Sequence, residues 1–304
     1  MMHLRLTVPP ELEAEVRGCL DRVVGVAHIA VLPGASRDPA GSLVLCDVAR
    51  ESADELLVEL RGCGLPERGA IAMADAGLVL SAAADRAEAA APGEGADAVV
   101  WESVADITSE ESRLSVTYLA FMVVATMIAA CGVMIDNSIL IVGAMVVGPD
   151  FGPLAGVCVA AVRREPRAAG RSLLALVLGF VGAIVLTWLF SLLMNALGLF
   201  TRDLFEAPHP ATQFIWQPDA FSIVVAVLAG IAGMLSLTSA KSAGLVGVAI
   251  SVTTIPAAAN AAVAMAYRQY YEAWGSFAQL IVNLVGILVA GVLTLLVQRR
   301  LLAR

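Results

Sequence analysis

The sequence predicts an α-helical polytopic membrane protein of about six spans, preceded by a soluble α+β domain. This prediction rests on the composition and on the distribution of charge along the chain. Of the 304 residues, 59% are hydrophobic and 15% are charged, whereas soluble domains average about 45–50% apolar and about 25% charged residues. Residues 1–112 hold 20 of the 27 acidic residues but 8 of the 19 basic ones. An acidic soluble front therefore precedes an apolar back, which excludes an ordinary cytosolic enzyme.

Residues 1–81 predict a ferredoxin-like domain. Short β-branched or leucine-rich runs alternate with helical stretches in the order βαββαβ. The predicted strands are 4–8, 23–32, 43–48 and 70–74, and the predicted helices are 11–20 and 53–61. Ser52 and Glu55 have the spacing of a capping box for the second helix. The fold leaves two roles open, a small-ligand sensor and a module for assembly or packing.

The charge and the cysteine content limit which kinds of partner and ligand we expect for this front domain. A net charge of −8 disfavours a nucleic acid, because phosphate binding needs clustered Lys and Arg. The N-terminus has no basic region followed by an apolar stretch, so we expect no signal peptide and a cytoplasmic front domain. The five cysteines form no CxxC pair, which indicates reduced thiols. We expect no metal site and no cofactor.

Residues 82–113 predict a connection between the two parts. Residues 82–98 are rich in Ala, Glu, Gly and Pro, so we expect a linker with little that could pack. Val100, Val104 and Ile107 then recur at helical spacing, which favours a short amphipathic helix at the membrane surface. A solvated connector is the alternative.

Residues 114–304 predict the transmembrane domain, since a spanning helix needs about 20 mostly apolar residues. Six segments qualify or nearly do: 114–134, 138–162, 172–197, 220–240, 244–267 and 276–298. With the N-terminus inside, nine basic residues fall on the inner side and two on the outer side. The positive-inside rule therefore places both termini in the cytoplasm.

Two of these segments contain proline in mid-span. The second contains Gly148-Pro149-Asp150-Phe151-Gly152-Pro153, and the fifth contains Thr253-Thr254-Ile255-Pro256. An offset of about 106 residues, read from the two sequence halves, places Pro149 beside Pro256. Broken helices at matching places predict two inverted three-span repeats, 114–197 and 220–298, as in many transporters. The alternative is two proline kinks with a structural role only.

Three stretches of the apolar part resemble a known family. Residues 136–157 (DNSILIVGAMVVGPDFGPLAGV), 244–256 (GLVGVAISVTTIP) and 283–291 (NLVGILVAG) are similar to the uncharacterised hydrophobic membrane proteins of bacteria and archaea called domain-of-unknown-function family 389. The resemblance covers about 114–298. It implies a helical fold in the bacterial inner (plasma) membrane and supplies no agreed activity.

The chain departs from this family at two positions. Asp150 stands where the family usually has an apolar residue, and Ala257 stands where it commonly has a second proline. The resemblance therefore implies that Asp150 is not essential to a mechanism shared by all members.

The residues around the two breaks are the candidate path for an ion or solute. Asp150 could bind a cation or carry a proton, because an ionisable group in a span is costly without a role. Its alternative role is to cap the half-helix that begins near Pro153. Side chains around the second break could equally be helix-to-helix hydrogen bonds. The predicted path comprises Gly148, Pro149, Asp150, Gly152, Pro153, Thr253, Thr254, Pro256, Asn260 and Asn283.

Small residues recur every fourth position in the second span and predict a helix-packing face. They are Ala144, Gly148, Gly152, Gly156 and Ala160. This face and the front domain make a homo-oligomer plausible. Lys241, the single lysine, is expected to extend to the inner surface.

The motifs of hydrolases and nucleotide-binding enzymes are missing from the sequence, so we expect no catalytic residues and no enzyme. The expected function is a membrane transporter or channel for an ion or small solute, modulated by the cytoplasmic front domain. The alternative is a non-transporting, membrane-anchored ligand sensor or oligomeric scaffold. An enzyme acting on lipid is the third possibility.

Overall fold

The computed structural model describes residues 1–93, 98–239 and 253–302. The chain divides into two compact units. The first unit consists mainly of residues 1–103, and the second begins at Val104.

The first unit is built on a four-stranded sheet in which all neighbouring strands are antiparallel. The strands are β1 (Met2–Val8), β2 (Val26–Arg37), β3 (Ala40–Val48) and β4 (Ala70–Asp75). The helices are α1 (Glu13–Arg22), α2 (Arg50–Gly62), the single turn α3 (Leu65–Arg68) and α4 (Ala82–Ala90). The spatial order β2-β3-β1-β4 is the one that a βαββαβ chain needs, and the predicted small antiparallel sheet is confirmed.

The central strand β1 shows why this unit folds. Its side chains alternate, so that Met2, Leu4, Leu6 and Val8 all lie on one buried face. Helices α1 and α2 cover this face with their own apolar side chains, and the cluster forms the core of the unit. The alternation that predicted a strand therefore also places its core.

The predicted capping box is wrong. Helix α2 begins at Arg50 with Ala49 at the N-cap and no side-chain cap. Ser52 lies in the first turn, where its buried hydroxyl has no hydrogen-bond partner within the described residues. The helix starts early because β3 leads directly into it and the Ala49 amide bonds to the Gly25 carbonyl at 2.8 Å.

The predicted linker packs in its first half. Residues Ala82–Ala90 form helix α4, whose Ala84 and Ala87 are buried. Helix α4 contacts β2 and β3, because alanine side chains let a helix approach a sheet closely. Its N-cap Ser81 lies 2.7 Å from Nε2 of His28. Residues 94–97 of the predicted linker lie outside the described part of the chain.

Two histidines face one carboxylate on this sheet. Nδ1 of His3 and Nδ1 of His28 each lie 2.7 Å from a carboxylate oxygen of Asp47. Partial burial acts to raise the pKa of Asp47, but the hydrogen bonds and charges of the two imidazoles outweigh this effect. The pKa of the carboxyl therefore lies below its ordinary value.

The second unit is helical. Helix α5 (Trp101–Glu111) begins in the first unit and ends in the second. The first half of the helical unit contains α6 (Val116–Met134), α7 (Ser138–Val147), α8 (Phe151–Arg163) and α9 (Pro166–Ala196). The second half contains the short α10 (Arg202–Glu206), α11 (Ala220–Thr238), α12 (Thr254–Ala266) and α13 (Tyr270–Leu302).

The face predicted for the amphipathic helix differs in the structure. Val104 and Thr108 of α5 are buried, whereas Ile107 is 44% exposed. Residues four apart lie on one helical face and residues three apart lie near it, so packing selects the pair 104 and 108. Val100 precedes the helix and belongs to the core of the first unit.

Four helices of the described residues are long and apolar enough to cross a membrane, namely α6, α9, α11 and α13. The pair α7 and α8, bent by 51°, makes a fifth if it is counted as one span. The described residues thus agree with a membrane protein and give four or five candidate spans, so the predicted count of six stays a prediction. The structure describes the predicted fifth span, 244–267, only from residue 253 onward, where most of it is helix α12. Lys241 lies outside the described residues.

Helix α12 lies in the middle of the helical unit. All its residues from Thr254 to Ala264 are buried, and it packs against α6, α7, α9 and α13. The chain segment that follows α9 covers the end of α12. Tyr267 donates a hydrogen bond to the Phe200 carbonyl at 2.9 Å and stacks on Phe205 at 4.9 Å.

Candidate functional site

The first break separates α7 from α8. Gly148, Pro149 and Asp150 lie between the two helices, at the 51° bend. Pro149 has no amide hydrogen to continue α7. Pro153 is the third residue of α8, where the amide would have no partner within the helix and its loss costs little.

The second break precedes α12, which repeats this local arrangement. Thr253 occupies its N-cap position, and Pro256 is the third residue of the helix. Helices α8 and α12 each contain 13 residues. Pro256 therefore takes the same place in α12 as Pro153 takes in α8, whereas Pro149 precedes α8. A proline in the first turn marks a helix start and not a kink.

The structure brings the two breaks together. The Thr254 hydroxyl donates a hydrogen bond to the Asp150 carboxylate, and both residues are buried. A Cβ atom on Gly148 would lie 2.8 Å from Cγ1 of Ile255, so glycine lets the second break approach the first. Asp150 occupies the N-cap position of α8 but makes no capping hydrogen bond. Asp150 thus stands at the helix start that the cap interpretation predicted, but its side chain supplies no capping hydrogen bond within the described residues.

Helix α13 joins the second break through Asn283. Its amide donates to the Thr253 hydroxyl at 2.7 Å. Nε2 of Gln279, one turn earlier on α13, donates to the side-chain oxygen Oδ1 of Asn283 at 3.4 Å. The remaining amide oxygen of Gln279 is buried without a hydrogen-bond partner among the described residues. A buried amide oxygen without a partner is costly, which marks this position as a candidate for ligand contact.

Asn260 lies in a second polar cluster further along α12. Its amide nitrogen lies 3.0 Å from Oε1 of Glu272 and 2.9 Å from Oγ of Ser276. Both partners belong to α13. The predicted association of Asn260 with Asn283 is therefore indirect, because Gln279 lies between them along α13.

These contacts define a polar row on one face of α13. Its members are spaced 4, 3 and 4 residues apart, which is the spacing of a single helical face. They are Glu272, Ser276, Gln279 and Asn283. The last three are buried. Sequence reasoning missed the first three members, and their spacing within an otherwise apolar segment was the signal that could have found them.

A cavity of about 510 Å³ opens at the Glu272 end of this row. We call it the Glu272 cavity. Its polar lining residues are Glu206, His209, Thr212, Gln213, Trp216, Asn260, Gln269 and Glu272. Among the described residues that line it there is no Lys or Arg.

The loop over this cavity is fixed at both sides. Asp136 accepts hydrogen bonds from the Ala211 amide at 3.2 Å and the Thr212 hydroxyl at 3.0 Å. A Cβ atom on Gly275 would collide with the Trp216 carbonyl oxygen, so glycine lets the loop lie directly on α13. Asp136 therefore does more than form the turn before α7, for which Asn137 supplies the cap at 3.0 Å to the Leu140 amide.

The predicted small-residue face does not meet a single partner helix. The 51° bend separates Ala144 on α7 from the rest. Gly148 approaches Ile255, Gly152 approaches Glu111, and Gly156 approaches Ser112 and Ser172. Ala160 is buried on α8. The small residues thus permit several different close contacts, which a straight-helix projection could not separate.

Within the ranges that the structure describes, no three His, Cys, Asp or Glu side chains are grouped so as to hold a metal ion. What the two breaks and the polar row provide is a set of hydroxyl, amide and carboxylate groups inside an apolar helical bundle. Such groups can bind a cation or relay a proton.

The fold and this site define a class: a polytopic helical protein of the membrane type, with a broken apolar helix and an N-terminal sheet domain. Residues 145–289 match the model of the family described as Domain of unknown function (DUF389). This match agrees with the family suspected from the sequence. No curated protein and no solved structure matches the chain significantly.

Proposed function

We propose that the helical unit is a membrane transporter or channel that carries a cation, with the proton included, along the polar row. The observation that carries the proposal is the chain of buried polar contacts. It leads from the Glu272 cavity through Asn260 and Ser276, and from Gln279 through Asn283 to Thr253 at the second break.

The charges along this path favour a cationic substrate. Two carboxylates, Asp150 and Glu272, flank the hydroxyl and amide groups, and the contacts described above include no Lys or Arg. Oxygen atoms are the ligands that hard cations prefer. An anion would instead need clustered donors such as Arg.

Equal element lengths support the proposal of two inverted repeats. Helices α6 and α11 each have 19 residues, and α8 and α12 each have 13. The turns after α8 and α12 both place an arginine at a φ of 60°, Arg164 and Arg268. Each half would then supply one long span, one broken span and one further long span. On this proposal the protein has six spans and lies in the bacterial inner membrane with both termini in the cytoplasm.

Regulation by the first unit is part of the proposal. A cavity of about 150 Å³ lies between α1 and the sheet, with Glu13, Arg17 and Asp21 beside apolar Ile29 and Val31. Its size suits a small solute. Ligand-dependent transport that disappears when residues 1–98 are removed would support this role, and equal transport with and without them would contradict it.

The test is cation flux into proteoliposomes that contain the full chain, under imposed proton, sodium and potassium gradients. Glu272→Gln and Asp150→Asn each remove one carboxylate of the path, and we expect flux to fall about tenfold or more. Asp219→Asn removes an exposed carboxylate that lies outside the path, and its flux should stay within about twofold. Absence of flux under all three gradients, or equal flux in all three variants, would contradict the proposal.

A further inference from the structure

A cavity of about 600 Å³ lies within the helical unit, apart from the polar row. It is bounded by the second half of α5 with the residues that follow it, the end of α8 and the beginning of α9. Part of its wall is formed by the small residues Gly156, Ala160 and Ala168. We call it the arginine cavity.

Charged side chains of both signs line the arginine cavity. They are Arg113, Arg163 and Arg171 together with Asp106, Glu110 and Glu165. Arg163 and Glu165 pair with each other at 2.8 Å. Among the residues described, the side chains of Arg113, Arg171, Asp106 and Glu110 form no ion pair or hydrogen bond with another residue. Two cations and two anions therefore remain available to a ligand.

A buried hydroxyl adds a second, independent observation. Ser172 is 4% exposed and lines the cavity, and its side chain makes no hydrogen bond within the described ranges. An unpaired hydroxyl that lines a cavity can donate or accept a hydrogen bond with a molecule there. Ser112, across the cavity, instead donates to the Thr108 carbonyl at 2.5 Å. The free hydroxyl thus lies beside Arg171, its neighbour in the chain.

The edge of the arginine cavity is apolar. Leu114 and Leu174 line it and are 45% and 55% exposed. They stand near the beginnings of α6 and α9, two helices long and apolar enough to cross a membrane. A charged cavity with an apolar edge at the end of such helices matches an amphiphile that has a polar headgroup and hydrocarbon chains.

We propose that the arginine cavity binds a phospholipid whose headgroup carries both a phosphate and an ammonium group, as in phosphatidylethanolamine. Arg113, Arg171 and Ser172 would bind the phosphate, because guanidinium groups match phosphate oxygens. Asp106 and Glu110 bind the ammonium group. The lipid chains lie against the two leucines. This site does not depend on cation transport.

The test is lipid binding to the purified, delipidated full chain, measured by native mass spectrometry. Phosphatidylethanolamine should bind at least threefold more tightly than phosphatidylglycerol with the same acyl chains. Soluble glycerophosphoethanolamine has the headgroup alone and should bind more than tenfold more weakly than the lipid. The double variant Arg113→Gln, Arg171→Gln should bind the lipid at least tenfold more weakly.

Arg167→Gln is the matched control, because Arg167 is an exposed arginine of the same helix α9 that does not line the cavity. It should change lipid binding less than twofold. Ala168→Trp fills the cavity without changing its charge, and it should weaken binding even if the double variant fails to fold.

Three results would overturn the proposal. An equal loss in Arg167→Gln would mean general surface attraction to lipid. Equal or tighter binding of phosphatidylglycerol would exclude the role of the two acids. Binding of the soluble headgroup as tightly as the lipid would point to a soluble phosphoester as the ligand.

Discussion

Replacing Thr254 by Val removes the hydroxyl that donates to the Asp150 carboxylate and leaves the shape of the side chain nearly unchanged. Thr254 is 1% exposed and Asp150 is 7% exposed, so water cannot readily replace the lost donor. Leaving a buried acceptor without its partner costs about 1–3 kcal/mol, and more for a charged group. We therefore expect Thr254→Val to lower the free energy of unfolding by about 2 kcal/mol, and Thr254→Ser to lower it by less.

The matched control is Thr126→Val. Thr126 is also fully buried, but its hydroxyl donates to the Met122 carbonyl of its own helix, at 2.7 Å. Such bonds within one helix turn contribute little to stability. The assay is unfolding of the full chain in micelles with a rising fraction of dodecyl sulfate, followed by circular dichroism.

A double-mutant cycle with Asp150→Ala then isolates the bond between the two breaks. We expect a coupling energy of about 1–2 kcal/mol, as for residues that share a buried hydrogen bond. If Thr254→Val costs no more than Thr126→Val, or if the coupling energy is zero, the contact between the breaks does not stabilise the fold and the reasoning fails.

Two further predictions follow from packing and from protonation. Gly230→Ala would place a Cβ atom 2.7 Å from the backbone oxygen of Ile287, so we expect it to lower the free energy of unfolding by about 1–3 kcal/mol in the same assay. In the control Gly182→Ala, the added Cβ atom meets nothing within 4 Å among the described residues, and we expect the free energy of unfolding to rise by up to about 1 kcal/mol. Equal effects would contradict the close contact. The lowered pKa of Asp47 gives stability above the unfolded pKa of about 3.9, which is lost as the pH falls through the folded pKa. Asp47→Asn should therefore raise amide exchange in β1 and β3 relative to the parent at pH 6, and this difference should shrink as the pH falls through the folded pKa of Asp47. A constant difference would exclude this linkage.

The sequence was informative where one local rule decides the outcome. Alternating apolar residues located the strands of the first unit, and proline located the two breaks. The partnership of Asp150 with Thr254 was also within reach, because both residues lie beside the prolines. Local rules failed where another element decides the geometry. Ser52 has the spacing of a capping residue, but the helix begins three residues earlier than predicted, directly after the preceding strand.

The polar row shows the same limit at the candidate site. Predicting span six from residue 276 assigned Glu272 to an outer loop, whereas helix α13 begins at Tyr270. The spacing of Gln279 places it on one helical face with Ser276 and Asn283, but spacing alone does not say whether that face points inward or toward lipid. Only the neighbouring α12, which presents Asn260 to this face, decides that these side chains point inward.

The burial of α12 among the other helices has a consequence for how the chain inserts into a bilayer. Thirteen residues of helix are about 20 Å long, which is shorter than a hydrocarbon layer of about 30 Å. Seven of them are alanines, whereas the insertion of a helix from the translocon is driven mainly by Leu, Ile, Phe and Val. Helix α12 therefore gains little from contact with lipid and much from contact with its neighbours. We infer that α6, α9 and α13 insert first and that α12 packs between them when the helices assemble. The packing of α12 is then a late step of biogenesis.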